Sequence, residues 1–370
     1  MRALILSCNT GEGHNAAGRA VLEELKLRGI DCEMRDALAF GGEKVSRFIT
    51  SAMTGVTVKY PWVFALGYKA GERISSDRHK SIIYLANSGY AEALKSYIEV
   101  QGFDTVITPH LFAGEALTYI RRNLGGNFRY YAVATDYTIT PFWEETEMDA
   151  FFIPHAGLMD EFAGKGVPRE KLFPFGIPVS GRFCVDVEKR AARRQLGLPE
   201  EGRVYLLMTG GAGFGDLSQL IELLIRHDPQ AARIVVLAGR NTALKKRLEA
   251  EFSGYTMLSV MDYTRQVPLY MDAADVLLTK PGGLTITEAA VKGVPMVLTA
   301  PIPGCETLNR DFFLKRHIAL SGANAQEIAR QAVELAGNYP LEQLMTFTQH
   351  QVINRRAARS ICDQITAWAR

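Results

Sequence analysis

The chain has 370 residues, 47% hydrophobic and 22% charged, with 42 Lys+Arg against 40 Asp+Glu. At roughly 150 residues per domain this predicts two or three domains, each able to bury a core. A net charge of +2 gives no global basic field for nucleic acid. No run of about 18 apolar residues spans a bilayer, and the apolar start is too short for a signal peptide. Cys8, Cys32, Cys184, Cys305 and Cys362 are scattered, with no C-x-x-C pair. That pattern argues against a disulfide framework or zinc site and fits a reduced cytosol.

The first element is a short apolar run, Ala3–Ser7, which reads as a buried strand. Thr10-Gly-Glu-Gly-His14-Asn-Ala-Ala-Gly18 follows, opening a helical stretch over Ala16–Leu27. Gly11 and Gly13 let backbone approach a ligand, and the helix offers free N–H groups. His14 at the helix start is a candidate general base, which the helix dipole would keep neutral. The same residues also match a dinucleotide fingerprint, Gly11-x-Gly13-x-x-Ala16, with Asp36 twenty residues on as its ribose acid. An NAD-dependent oxidoreductase is therefore the competing reading.

Between Lys44 and Lys80 stand seven Lys/Arg and two acids, interleaved with Phe48, Tyr60, Trp62, Phe64 and Tyr68. Cations and rings mixed over one segment suit an anionic membrane surface, with Arg47, Lys59, Trp62 and Lys69 as contacts. The alternative is a buried helix pair with snorkelling lysines. Asp104–Thr108, Tyr130–Ala134 and Asp149–Ile153 predict further strands, with helical segments over 114–123 and 157–164. The pattern breaks on Gly and Pro near Phe175-Gly-Ile-Pro, which places a domain boundary there.

The alternation then restarts. Val204–Met208, Ile234–Leu237, Thr256–Val260, Val276–Leu278 and Met296–Leu298 predict strands, and the tail from about Leu341 is mainly helical. Two parallel α/β domains follow, residues 1–175 and 176–345, with a terminal helical segment 346–370. Ligands of such sheets bind beyond the carboxyl ends of the strands, so two facing domains predict a site in the cleft between them.

Three motifs of the second half fall at those ends. Thr209-Gly-Gly-Ala-Gly-Phe-Gly215 suits a phosphate cradle through Gly210, Gly211 and Gly213, or is a flexible turn. Lys280-Pro-Gly282-Gly283-Leu-Thr285-Ile-Thr-Glu288 presents backbone N–H groups at a helix start. Glu288 there could accept from ribose or sugar hydroxyls, or Thr285-x-x-Glu288 is a capping box. Gly304-Cys305-Glu306-Thr-Leu-Asn309 offers a carboxylate and an amide to a polyhydroxyl ligand, or caps the next helix.

These motifs, in this order, resemble the monogalactosyldiacylglycerol synthase and processive diacylglycerol glucosyltransferase family, over nearly the whole chain. The resemblance implies a GT-B fold: two Rossmann-like domains facing across a cleft, with the C-terminal helix crossing back onto the first. It implies an inverting, metal-independent transfer of a hexose from a UDP-sugar to a lipid acceptor, diacylglycerol, by an enzyme lying peripherally on the cytoplasmic face of the membrane. His14 would deprotonate the acceptor, with Asp136 as orienting partner or alternative base. Glycines 282–283 would meet the leaving UDP, Glu288 the ribose, Cys305, Glu306 and Asn309 the sugar region, and backbone at Val260 and Met261 the nucleobase. No Asp-x-Asp metal motif occurs. The chain departs from the family's frequent Gly-Gln-Glu at Cys305, which has no amide. It also lacks the His that often follows Thr135-Asp136 before Pro141.

Overall fold

The computed structural model describes residues 1–43, 47, 81–208 and 217–369. The chain divides into two units. The first comprises Met1–Gly181, Ile302–Cys305 and Arg356–Arg370; the second comprises Arg182–Pro301 and Glu306–Arg355. Each holds a six-stranded sheet, and every strand pairing is parallel. Both units are thus Rossmann-like, the architecture of GT-B proteins.

In the first unit, β1 (Arg2–Ser7) leads into α1 (Glu12–Leu27) and β2 (Asp31–Asp36). Helices α2 (Ile82–Ser88) and α3 (Ala91–Gln101) precede β3 (Thr105–Thr108), α4 (Leu111–Tyr119), β4 (Arg129–Val133), β5 (Ala150–Phe152), α5 (Met159–Gly164) and β6 (Leu172–Phe173). The order across the sheet is β2-β1-β3-β4-β5-β6. The direction of winding therefore reverses between β1 and β3, and the loops after these two strands diverge around a crevice. β1 is buried along almost its whole length because helices cover both faces of a parallel sheet. Helix α1 lies close to that sheet at Gly18, where an added Cβ would stand 3.1 Å from Met34 Cε and 3.2 Å from Ile5 Cγ2.

The second unit runs α6 (Lys189–Leu196), β7 (Val204–Met208), α7 (Leu217–His227), β8 (Arg233–Gly239), α8 (Thr242–Glu251), β9 (Leu258–Asp262), α9 (Val267–Ala273) and β10 (Val276–Thr279). It continues through α10 (Gly283–Lys292), β11 (Met296–Leu298), α11 (Cys305–Lys315), β12 (Leu320–Ser321), α12 (Ala325–Ala336) and α13 (Tyr339–Val352). Its order, β12-β11-β10-β7-β8-β9, puts the reversal between β7 and β10. Asp275 ties the unit's first helix to the sheet: it binds Arg193 and Lys189, each at 2.6 Å, and accepts from the Val204 N–H.

The last helix, α14 (Ala357–Trp368), returns to the first unit. Ile361, Cys362 and Ile365 join the core of Ala3, Val21 and Leu25. Trp368 stacks on Tyr131 with ring centroids 5.4 Å apart, and Asp363 binds Arg28 at 2.6 Å.

Sequence periodicity placed most strand centres, but β9 begins two residues later than expected. The two-residue strands β6 and β12 carry too little pattern to be read. The glycine loop with Gly210, Gly211 and Gly213 lies outside the described residues, as do Lys59, Trp62 and Lys69. Arg47 is exposed and faces Glu43 at 3.6 Å, one helical turn away.

One buried carboxyl breaks the usual rule for the core. Glu115 on α4 is fully buried. Burial pushes its pKa up to about 10, helped by the neighbouring Glu145, which itself accepts from the Ser81 N–H at 2.9 Å. The folded protein keeps the Glu115 proton at neutral pH, whereas the unfolded chain releases it above the ordinary value of 4.5. Stability is therefore lost as pH rises through that window. Glu115→Gln, neutral in both states, should raise the urea midpoint at pH 8 by an amount worth more than about 1 kcal/mol and change it little at pH 4. A less stable variant at pH 8 would mean that the carboxyl is ionised in the fold.

Candidate active site

The first unit concentrates its polar chemistry at the β1/β3 reversal. Gly11 is the N-cap of α1 in extended backbone, with no side-chain cap, and His14 lies in the first turn. The Nδ1 of His14 sits 3.0 Å from the Pro109 carbonyl and 2.9 Å from Thr135 Oγ1. A carbonyl only accepts, so Nδ1 carries the proton and donates. In the neutral ring Nε2 is then left with its lone pair. Asp136, half-buried, follows Thr135 at the end of β4; its charge pulls the His14 pKa upward. Burial outweighs it, and the net shift is downward from 6.5. The direction agrees with a neutral imidazole, and its leading cause is desolvation. Glu161 fixes the same loop, accepting from Thr138 Oγ1 at 2.5 Å and from the Ile139 N–H at 3.1 Å.

His110 is the residue that sequence reasoning missed. It follows β3 and caps α4, its Nδ1 accepting from the Phe112 N–H at 3.2 Å. Its Nε2 lies 2.7 Å from Thr10 Oγ1, and its ring meets His14 edge-on, centroids 4.7 Å apart. Burial holds its pKa well below 6.5, with His14 acting in the same direction. The available signal was a His directly after a predicted strand. That β3 lies beside β1 is a property of strand order, which local pattern does not carry.

Asp36 does not stand free to bind a ribose. One oxygen caps the next turn, accepting from the Leu38 N–H at 3.1 Å, and the other accepts from Asn9 Nδ2 at 3.0 Å. Asn9 in turn holds Asn15 of α1 at 3.0 Å. The acid of the dinucleotide reading is a brace for the Gly11–Gly13 loop.

In the second unit Lys280, Gly282, Glu306 and Asn309 come together beyond the ends of β10 and β11. Lys280 pairs with the buried Glu306. Asn309, fully buried, donates to the Pro281 carbonyl at 3.1 Å and so fixes the turn before α10. A Cβ built on Gly282 would lie 3.9 Å from both Lys280 Nζ and Glu306 Oε1. Gly282 is the N-cap of α10 and supplies no side-chain cap. The first N–H groups of α10, beginning at Gly283, are thus presented beside a cation, the arrangement that suits an anion. The capping box is corrected by the same observation: the helix begins at Gly283, so Thr285 lies inside its first turn and does not cap it. Thr285 and Glu288 are half-buried. Cys305 opens α11 and is also half-buried. Val260 and Met261 sit on β9, the edge strand, three strand spacings from β10 and so about 14 Å across the sheet. Val260 is buried and Met261 is exposed.

Comparison with known proteins matches residues 14–179 to the monogalactosyldiacylglycerol (MGDG) synthase family model and residues 205–303 to the glycosyltransferase family 28 C-terminal domain. A processive diacylglycerol beta-glucosyltransferase of Staphylococcus saprophyticus is 30% identical over 234 residues, 62% of this chain and 58% of that protein. Its namesake in Bacillus mycoides is 27% identical over 323 residues, 86% of this chain and 81% of that protein. Among solved structures, the glycotransferase of kitacinnamycin superposes with a TM-score of 0.66 at 15% identity, covering 99% of this chain and 98% of that one.

Proposed function

We infer that this chain, a member of the monogalactosyldiacylglycerol synthase and diacylglycerol glucosyltransferase family, moves a hexose from a UDP-sugar to diacylglycerol and so makes glycolipid. The observation that carries the reading is the order of domains. An MGDG synthase domain precedes a family 28 C-terminal domain, and the reversal point of each sheet holds residues suited to its half of the reaction.

The acceptor half belongs to the first unit. The acceptor hydroxyl gives its proton to Nε2 of His14 as its oxygen attacks the anomeric carbon. The Nδ1–H bonds to Pro109 and Thr135 keep the ring in that tautomer, and Asp136 stabilises the imidazolium that forms. The bond from the anomeric carbon to the diphosphate breaks, and UDP leaves carrying the charge. The donor half belongs to the second unit. Lys280 and the free N–H groups of α10 meet the developing negative charge, so the reaction as drawn needs no metal. Attack from the face opposite the leaving group inverts the anomeric centre. Glu288 takes the ribose, Glu306 and Asn309 the sugar region, and the backbone of Val260 and Met261 the nucleobase.

The enzyme meets its acceptor at an anionic membrane surface through the basic aromatic segment of residues 44–80. Among the described residues no helix is long and apolar enough to cross a membrane.

Four measurements test these roles. His14→Ala should lower transfer by at least about 100-fold, the typical reach of general base catalysis, with calorimetric UDP affinity unchanged. In the wild type, the acid limb of activity should lie below pH 6.5, because burial lowers the His14 pKa. Near-normal turnover of the variant removes the base. Glu288→Gln should weaken UDP by about 1–2 kcal/mol, the worth of a charged hydrogen bond to a hydroxyl; unchanged affinity misplaces the ribose. Finally, co-sedimentation with anionic vesicles should fall as salt rises from about 0.05 to 0.5 M, since screening shortens steeply over that range. It should also fall when Arg47, Lys59 and Lys69 are reversed to Glu. Equal binding to neutral vesicles removes the electrostatic contact.

A further inference from the structure

We propose that His110 is a positioning residue for the base: it locks the Thr10–Gly13 loop and the His14 ring together, so that His14 presents Nε2 in a single orientation. This rests on the reading of His14 as the base.

The hydrogen bonds of His110 assign both its nitrogens. The Phe112 N–H donates to Nδ1, which therefore bears no proton. The ring is neutral, so its proton is on Nε2 and is donated to Thr10 Oγ1 at 2.7 Å. One imidazole thus joins the loop after β1 to the first turn of α4. Two further rings pack against it. His14 meets it at 70° with centroids 4.7 Å apart, and Phe112 meets it at 63° and 4.9 Å. Among the described residues the His14 ring is hydrogen-bonded on one nitrogen, by Pro109 and Thr135. Two acceptors on Nδ1 fix its tautomer but leave it free to swing about that end, and the edge of His110 limits the swing. Misplacement of a catalytic group by about 1 Å costs on the order of 100-fold, so this restraint acts on turnover.

A purely structural role for His110 would be the cap on α4. Asn caps a helix as well as any residue, and its shorter side chain does not extend to Thr10. His110→Asn therefore keeps the cap while losing the Thr10 bond and the ring contact. Thr10→Val removes the same bond while leaving His110 in place.

The test uses the full chain with UDP-glucose and diacylglycerol vesicles, together with ¹⁵N spectra of the imidazoles. His110→Asn should lower kcat by about 10–100-fold, with KM for UDP-glucose within about twofold and the melting temperature close to wild type. Its His14 ring should keep the Nδ1–H tautomer, held by Pro109 and Thr135, while its signals broaden as the ring gains motion. Thr10→Val should show a smaller loss of the same kind, and the double variant should be no worse than His110→Asn alone, because both remove one link. A His110→Asn protein with wild-type kcat, or with His14 line widths unchanged, overturns the proposal. If that variant does not fold, wild-type kcat in Thr10→Val overturns it instead. The spectra separate this proposal from the reading beneath it. An active His14→Ala protein removes the base, whereas the line width of the His14 imidazole reports the restraint by His110 whatever the turnover.

Discussion

The hydrogen bond from His14 Nδ1 to the Pro109 carbonyl is the constraint on which the chemistry of the first unit depends. It needs the loop after β1 and the loop after β3 to meet, and they meet because the sheet order runs β2-β1-β3. Had β1 and β3 been separated by another strand, Pro109 would stand about 5 Å further off, and His14 would lose the acceptor that assigns its proton. The side-chain chemistry is thus set by topology before any side chain packs. Thr135 and Asp136 arrive by the same route, since β4 is the next strand outward.

The two units apply one sheet design to opposite electrostatic ends. Each puts an uncapped helix N-terminus at its reversal point, α1 behind Gly11 and α10 behind Gly282. In the first unit that positive end adds to burial in disfavouring the imidazolium, and the nearby charge is the carboxylate of Asp136. In the second, the positive end is joined by Lys280, and the crevice is built to receive negative charge. A neutral base needs a site that resists protonation without excluding the charged form it reaches during reaction. On the role proposed for His14, burial would supply the resistance and Asp136, whose charge already favours the imidazolium, the later stabilisation.

Much of this was legible in the chain. Apolar runs located the central strands, because a parallel sheet covered on both faces leaves continuous hydrophobic stretches, and glycines marked where each strand hands over to a helix. His14, Lys280, Glu306 and Asn309 were singled out by their place after such strands, and the fold puts them at the sheet reversals. What failed had physical causes. Asp36 has the spacing of a ribose acid, yet its two oxygens close a turn and hold Asn9, and spacing alone does not distinguish these uses. Thr285 and Glu288 have the spacing of a capping box, but the helix starts three residues earlier than that box requires because Gly282 already adopts the extended cap conformation. His110 was invisible because its meaning comes from a neighbour 96 residues away in sequence, His14.

The Lys280–Glu306 pair shows why the donor crevice can be held ready. A lone buried ammonium would carry a desolvation penalty of several kcal/mol, and Glu306, itself buried, removes most of it by pairing. Asn309 fixes the turn between them by donating to the Pro281 carbonyl. The pair holds the Lys280 ammonium beside the N-terminus of α10, so cation and helix end present positive charge to one place. On the donor role proposed above, a diphosphate would replace Glu306 beside the ammonium, and the carboxylate would be left to accept from hydroxyl groups, a contact to which Cys305 adds no amide.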